Sequence, residues 1–325
     1  MKPIKLLPPF DINYKMMSLA ETKNYGHSLH NIPEAWLESK GEGIVIGVID
    51  TGLPIHRDLK GQITKAANFT KDPLPDNVQG HSTFCSGILC AKENNEGIVG
   101  IAPKAKIIIA KALDNNGSGD DESISKSINW CAENGADIIN MSLGAPANYE
   151  YLFPKTKEAI KKAYKEGIVI VCASGNEDAS KVGFPARMEQ CIAVGAVDSK
   201  KQRANFSNRG PELDFAAAGV NILSTFKNNS YGNLSGTSFS APQVTGISAL
   251  ILSSHKDTNK ETPIIFPPQD IYNHLKKICL DVGPTGWDQE YGFGLPIYGQ
   301  AGKLPIEPPK KSFFSNILDF FKGWF

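Results

Sequence analysis

The chain has 325 residues, and its 34 Lys plus Arg exactly offset 34 Asp plus Glu, so the formal net charge is zero. That balance gives no argument for nucleic acid or an acidic membrane surface as a partner. The length allows a large core, in one big domain or two modest ones.

The six cysteines (85, 90, 131, 172, 191 and 279) stand mostly in apolar runs without a CxxC pair. They read as reduced thiols in a reducing compartment, not as a disulfide or zinc framework. Residues 1–24 form a basic, proline-containing lead. MKPIKLLPPF has one short apolar pair broken by prolines, too little for a signal-peptide core, and no stretch approaches membrane-span length. The expectation is a cytoplasmic protein.

From Ile44 the pattern changes. IVIGVID reads as a buried strand ending in Asp50, with Thr51-Gly52 as a turn. Similar runs recur at 106–113, 137–143, 168–173 and 191–197, with helix-like segments at 121–134 and 155–166. This alternation predicts an α/β fold, three layers with a doubly wound, mainly parallel sheet. Ligands of such sheets bind outside the carboxyl ends of the strands. Asp50, Ser142 and Asn176 fall at or just past strand ends, so they are candidates for one cleft.

Gly232 to Gly246 reads GNLSGTSFSAPQVTG, and Val244 to Leu252 has the composition of a buried helix. Pro242 is expected in its first turn, where a proline is tolerated. Ser238 then lies at the start of a core helix. Two readings stand: a nucleophile favoured by the helix end, or one member of an N-capping Ser/Thr cluster.

After Ala301 comes a Pro/Lys-rich linker, then Ser312 to Phe325. At about 100° per residue, Phe313, Phe314, Ile317, Leu318, Phe320, Phe321, Trp324 and Phe325 fill one arc, which predicts an amphipathic helix. Its apolar face has three candidate occupants: its own domain, a second subunit, or a membrane surface.

Peptide hydrolysis needs a nucleophile, a base, an orienting acid and donors for the oxyanion. Of six histidines, His81 alone has a fitting setting, a polar turn entering the apolar GHSTFCSGIL; His27, His30, His56, His255 and His274 stand in ordinary polar contexts. Asp50 ends a buried strand, where an unpaired charge is costly, so it needs a partner. Asn176 follows a strand and a glycine and can offer its amide to an oxyanion.

VIDTGL (48–53), GHSTFCSG (80–87), NMSLG (140–144), ASGNE (173–177) and GTSFSAP (236–242) resemble the motifs of subtilisin-family (S8) serine proteases, in the same Asp, His, Ser order. The resemblance covers roughly residues 25–300 and is strongest to bacterial intracellular subtilisins. It implies a serine endopeptidase acting on peptide and protein substrates, with Ser238 as nucleophile, His81 as base and then acid, and Asp50 as the orienter of His81. Asn176 and the Ser238 N–H would form the oxyanion hole.

Gly117-Ser118-Gly119 and Ser142-Leu143-Gly144 would be the two edges that hold an extended peptide. Ala173-Ser174-Gly175 and Gly183 would wall the pocket for the side chain before the scissile bond, with Glu177 at its rim. Asp120 and Asp121 stand where the family is often aromatic, which argues against a deep apolar outer pocket. Calcium is implied at Glu21, Asp58, Asn94 and the carbonyls of Lys92, Glu96 and Ile98. A weaker second cation site would use Glu212 and Asp214 with carbonyls near Ala186.

IKLLPPF (4–10) resembles the short N-terminal extension of the intracellular subgroup, which lies across the cleft until it is cut, here within 16–22. The implied division is an inhibitory extension (1–20), a catalytic domain (21–301) and the linker with its helix (302–325). Relatives in that subgroup often dimerise, so a homodimer is a candidate assembly.

Three departures stand out: Ser82 and Phe84 replace a glycine and a second histidine, Phe239 stands where methionine is frequent, and Cys85 matches the free thiol of proteinase K-like members, so mercurials are expected to inhibit. Two rival readings are an aspartic protease, which needs two DTG loops where this chain has one, and a catalytically dead binding module.

Overall fold

Seven short runs of mostly buried residues align as one sheet. They are β1 (Val45–Asp50), β2 (Ile63–Asn68), β3 (Lys106–Lys111), β4 (Ile138–Met141), β5 (Val169–Ala173), β6 (Ile192–Val197) and β7 (Phe215–Ala218). Their order is β7-β6-β5-β4-β1-β3-β2, and all neighbours pair in parallel. This is a computed structural model that describes residues 4–6, 10–14, 20–76, 78–255 and 267–299. The linker and helix expected at 302–325 lie outside the described residues, as do Leu7, Pro8 and Pro9.

Buried on both faces, the central strands read as continuous aliphatic runs. Alternate residues feed two separate cores. Ile46 and Val48 of β1 with Ile107 and Ile109 of β3 pack toward Phe84, Ile88, Val244 and Ile247. Ile49, Ile108 and Ala110 pack toward Ile124, Ile128 and Ile160. One face therefore carries α1 (His81–Cys90) and α4 (Thr237–His255), the other α2 (Asp121–Glu133) and α3 (Pro154–Lys165). The three-layer, doubly wound architecture is as expected. α5 (Pro268–Lys277) adds Ile271 and Leu275 to the first core.

β2 and β7 escaped the sequence reading for different reasons. β2 is a partly exposed edge strand, ITKAAN, and β7 is the short, small-residue run FAAA. α4 is buried from Thr237 to Ile251, so it shows no polar face, as a helix enclosed by protein should not.

Progression along the sheet reverses at β1, and the carboxyl ends of β1, β4 and β5 open onto one cleft. Two smaller sheets flank it. Ile4–Leu6 is the central strand between Ser118–Gly119 and Leu143–Gly144, antiparallel to both. Phe10–Tyr14 pairs antiparallel with Ser230–Ser235, which also pairs with Ile222–Phe226. Among the described residues no helix is long and apolar enough to cross a membrane.

Candidate active site

β1 delivers Asp50 at its carboxyl end, and α1 delivers His81 as its first residue. Gly80 turns the chain into that helix with φ 74°, a left-handed conformation suited to glycine. His81 Nδ1 lies 2.8 and 2.9 Å from the two Asp50 carboxylate oxygens, and both side chains are buried. With Nδ1–H donated to Asp50, Nε2 is the basic nitrogen. It has no hydrogen-bond partner among the described residues. Burial disfavours the imidazolium, but the Asp50 carboxylate and the neighbouring Cys85 outweigh it and raise the His81 pKa well above the ordinary histidine value.

Ser238 is the second residue of α4. Its hydroxyl donates to the Ser142 carbonyl at 3.2 Å. Pro242 lies in the second turn of α4, not the first, which corrects the expectation. The displacement has a consequence for the site. Pro242 has no N–H, so the Ser238 carbonyl four residues back has no helical donor. Ser142 Oγ takes that carbonyl at 2.8 Å, and the Cys85 thiol approaches it at 3.5 Å. Asn140 Nδ2 in turn donates to Ser142 Oγ at 3.0 Å, and Thr245 Oγ1 donates to Asn140 Oδ1 at 3.0 Å. The start of α4 is thereby bonded to the end of β4.

Asn176 follows β5 by way of Ser174 and Gly175. The N–H and hydroxyl of Thr237 both donate to Asn176 Oδ1, at 2.9 and 2.8 Å. Its oxygen end is held, so its NH2 end points away from Thr237. A Cβ at Gly236 would sit 3.2 Å from Nδ2, so the glycine leaves that end room.

Ala173 and Ser174 continue β5, and Gly183 N–H donates to the Ser174 carbonyl at 2.8 Å. A Cβ at Gly183 would meet the Ala145 and Ser174 carbonyls at 3.1 and 3.3 Å, so these expected wall residues do come together. Glu177 at the edge is exposed, and Asn208 Nδ2 donates to it at 2.7 Å. Gly119 and Gly144 with their neighbours form the two edges on either side of Ile4–Leu6.

Ile4 is fully buried in the apolar cluster holding Leu113, Ile124 and Leu143. Apolar side chains therefore lie beside these edges, and Asp120 and Asp121 are engaged elsewhere. Asp120 caps α2 through Ser123 N–H at 2.7 Å, and Asp121 accepts the N–H groups of Lys155 and Thr156 at the start of α3.

Away from the cleft, the loop around 92–98 is wound about two acids. Glu21 Oε2 accepts the N–H groups of Asn94 and Asn95 at 2.7 and 3.0 Å, and Asn94 Oδ1 accepts Glu96 N–H at 3.0 Å. Asp58 is fully buried, and its Oδ2 accepts Ile98 N–H and the Tyr231 hydroxyl. Its Oδ1 has no hydrogen-bond partner among the described residues, with Arg57 Nε 3.8 Å away.

Glu212 and Asp214, expected at a second cation site, both have protein partners. Arg187 already supplies a positive charge to Glu212 at 2.7 Å. Both Asp214 oxygens are engaged, by Ala193 N–H at 2.8 Å and the Tyr272 hydroxyl at 3.0 Å. Burial pushes the Asp214 pKa up to about 7, against the lowering effect of those two bonds.

The departures Phe84 and Phe239 turn out to be one feature. Their rings pack with centroids 4.5 Å apart, and Phe239 also lies against the His81 imidazole at 5.6 Å. Sequence reasoning missed Thr51, Asp76 and Thr237 as site residues. For Thr237 the signal was its place between Gly236 and Ser238; Asp76, in a polar loop, gave none.

An Asp–His pair whose free nitrogen, a serine at a helix start and a fixed amide share one cleft defines a serine hydrolase of the α/β class. The chain matches the Subtilase family, Peptidase_S8, over residues 41–294. It is 40% identical over 265 residues to the major intracellular serine protease of Bacillus subtilis (strain 168), covering 78% of this chain and 82% of that protein. Subtilisin DY of Bacillus licheniformis is 38% identical over 283 residues, covering 85% of this chain and 97% of the relative. Subtilisin Savinase of Lederbergia lenta is 36% identical over 256 residues, covering 78% and 89%. The chain belongs to the subtilase family and is a subtilisin-like serine endopeptidase.

Proposed function

We propose that the protein hydrolyses peptide bonds of intracellular proteins through an acyl-enzyme on Ser238. Rotation about the Ser238 Cα–Cβ bond takes Oγ from the Ser142 carbonyl toward His81 Nε2. As Oγ attacks the substrate carbonyl, Nε2 takes its proton, and Asp50 stabilises the imidazolium that forms. The oxyanion is met by Asn176 Nδ2 and the Ser238 N–H. His81 then protonates the leaving amine, and water, activated by the same nitrogen, releases the acyl group. The observation that carries this reading is the buried Asp50–His81 contact at 2.8 Å with Nε2 left unpaired among the described residues. A fluorophosphonate probe should label the wild type and not Ser238→Ala; equal labelling of both would end the assignment.

The setting inside a cell is supported by the intracellular relative and by six free cysteines, all buried. The start of the chain supports self-inhibition. Ile4–Leu6 uses the same two backbone edges that an extended substrate would need, so extension and substrate compete for one place. Full-length Lys5→Pro removes a strand N–H and should raise initial peptidase rates at least about tenfold, equivalent to about 1.4 kcal/mol of lost competition. Unchanged rates would refute the blockade and leave the triad reading intact.

Calcium suits the loop at 92–98. The buried Asp58 Oδ1, which has no hydrogen-bond partner among the described residues, and the oxygens of Glu21 and Asn94 would form a hard donor set with the carbonyls of Lys92, Glu96 and Ile98. The ion would join the start of the folded domain to this loop; it has no part in the chemical steps.

A further inference from the structure

Asn208 is 2% exposed, and the hydrolytic steps above do not use it, yet it bonds to the chain on both sides of Asn176. Its N–H donates to the Gly175 carbonyl at 2.9 Å, and its carbonyl accepts the Ser174 hydroxyl at 3.3 Å. Its side-chain oxygen accepts the N–H groups of Glu177 and Ala179 at 3.0 and 2.9 Å. Its NH2 group donates to the Ser174 carbonyl at 3.2 Å and to Glu177 Oε2 at 2.7 Å. Two N–H donors face the oxygen end, and a carbonyl and a carboxylate face the nitrogen end. The amide therefore has one orientation, with every bond it can make in use. A Cβ at Gly175 would lie 2.1 Å from Asn208 Nδ2 and 2.7 Å from Glu177 Oε2, so only a glycine lets this pair close on the strand.

Glu177 and Asn208 also line a cavity of about 310 Å³, together with Pro146, Asn148, Lys181 and Arg187. This lining follows directly on the two segments expected to wall the pocket for the side chain before the scissile bond. The Arg187 charge is met by Glu212 at 2.7 Å and Glu150 at 3.6 Å. Lys181 is exposed, where solvent and salt screen it. A carboxylate has acceptor sites for about four hydrogen bonds, so the bond from Asn208 leaves Glu177 capacity for a cation. A freely rotating glutamate loses rotamer freedom when it meets a cation; one already held does not.

We propose that Asn208 is a specificity-determining residue, holding the Glu177 carboxylate at this cavity as a ready receptor for a long cationic side chain before the scissile bond. It touches no reacting atom and acts through Glu177, as a positioning residue. The proposal deepens the hydrolytic reading above and rests on it.

The test compares two peptides that differ only before the scissile bond, one carrying lysine and the other its uncharged analogue norleucine. The N-terminal extension competes with both alike, so the lysine-to-norleucine ratio of kcat/KM is readable in the full-length chain. Glu177→Gln should lower that ratio about fivefold, the scale of an exposed ion pair. Asn208→Ser should lower it at least about threefold, the cost of a carboxylate that must be ordered on binding. Added to Glu177→Gln, it should change the ratio little, because both variants remove one interaction. Glu177→Asp keeps the charge but is one methylene too short to reach the Asn208 amide, so its ratio should also fall at least about threefold. That variant leaves Asn208 intact and decides the matter if Asn208→Ser does not fold.

A wild-type ratio in Glu177→Asp, or equal losses on both peptides in a folded Asn208→Ser, overturns the proposal. Equilibrium binding of the two peptides to Ser238→Ala forms of the same proteins reads the ratio without catalysis and should give the same order. Peptides bound in that order but never cut, with Ser238 unlabelled by fluorophosphonate, would end the hydrolytic reading and keep the role of Asn208. Cutting with one ratio in every variant would do the reverse.

Discussion

The Thr51 hydroxyl lies 2.7 Å from Asp76 Oδ1 and 3.1 Å from Asp50 Oδ1, joining a second buried carboxylate to the one that holds His81. Asp76 also accepts the N–H groups of Gly80 and Thr83 and the Thr83 hydroxyl. It therefore ties the end of β1 to the first turn of α1. Asp76→Ala would leave these donors buried and unpaired, at a cost of about 3 kcal/mol. We expect kcat to fall about tenfold with KM nearly unchanged, because the loss is one of positioning. Urea melts and steady-state kinetics on the same protein check both; a folded variant with wild-type kcat removes the positioning role.

The raised pKa of His81 sets the acid limb of activity. The base must be neutral, so kcat/KM should rise with pH through a value above the ordinary 6.5. Asp50→Asn removes the carboxylate that raises it. The limb should then move to lower pH, while kcat falls by about 10⁴-fold, the scale found for serine protease triads. The same shift bears on stability. A histidine raised on folding stabilises fully below its unfolded pKa, and the contribution fades as pH rises through the folded value. A limb that stays in place in Asp50→Asn would show that the carboxylate does not set it.

Asp214 gives the opposite kind of pH dependence from an ordinary surface acid. Its pKa is near 7 in the fold, against an ordinary value of 3.8. Between those values the folded state holds a proton that the unfolded chain has lost, so stability falls as pH rises from about 4 to about 7. The full drop is about 4 kcal/mol, from roughly three units at 1.36 kcal/mol each. Asp214→Asn mimics the protonated acid, accepting from Ala193 N–H and donating to the Tyr272 hydroxyl. It should flatten the stability profile across this window in urea melts at pH 5 and pH 8. An unchanged slope would place the titration elsewhere.

The parts of this molecule that were legible in its sequence are those with strong local signals. Uniform aliphatic runs marked β1, β3, β4, β5 and β6, because strands covered on both faces need apolar residues throughout. Asp50, His81, Asn176 and Ser238 stood out through glycines and strand ends beside them. Long-range partners were not legible. His27 and His30, read as ordinary polar positions, are buried, and burial lowers both pKa values to about 4. Only the fold could show His30 accepting Ala218 N–H. Glu212 and Asp214 resembled a cation pair in sequence, and only three dimensions revealed Arg187 and Tyr272 as their partners. Asp120 and Asp121 likewise looked like pocket residues and are helix caps.

Asp58 Oδ1, without a hydrogen-bond partner among the described residues, separates two accounts of its loop. If calcium binds there, wild-type protein gains about 2.7 kcal/mol at a hundred times the dissociation constant. EDTA should then lower the melting temperature by roughly 5 °C or more. Asp58→Asn should melt lower than wild type in calcium and respond little to EDTA. If no cation binds, EDTA should be silent in both proteins, and Asp58→Asn should shift the melting temperature equally with and without calcium. A Ser238→Ala background keeps self-digestion from imitating either result. Gly97 offers an independent handle on the same loop. A Cβ there would lie 2.2 Å from Asp58 Oδ2 and 2.1 Å from the Tyr231 hydroxyl. Gly97→Ala should therefore force the loop off Asp58 and lose the calcium response with the carboxylate still present.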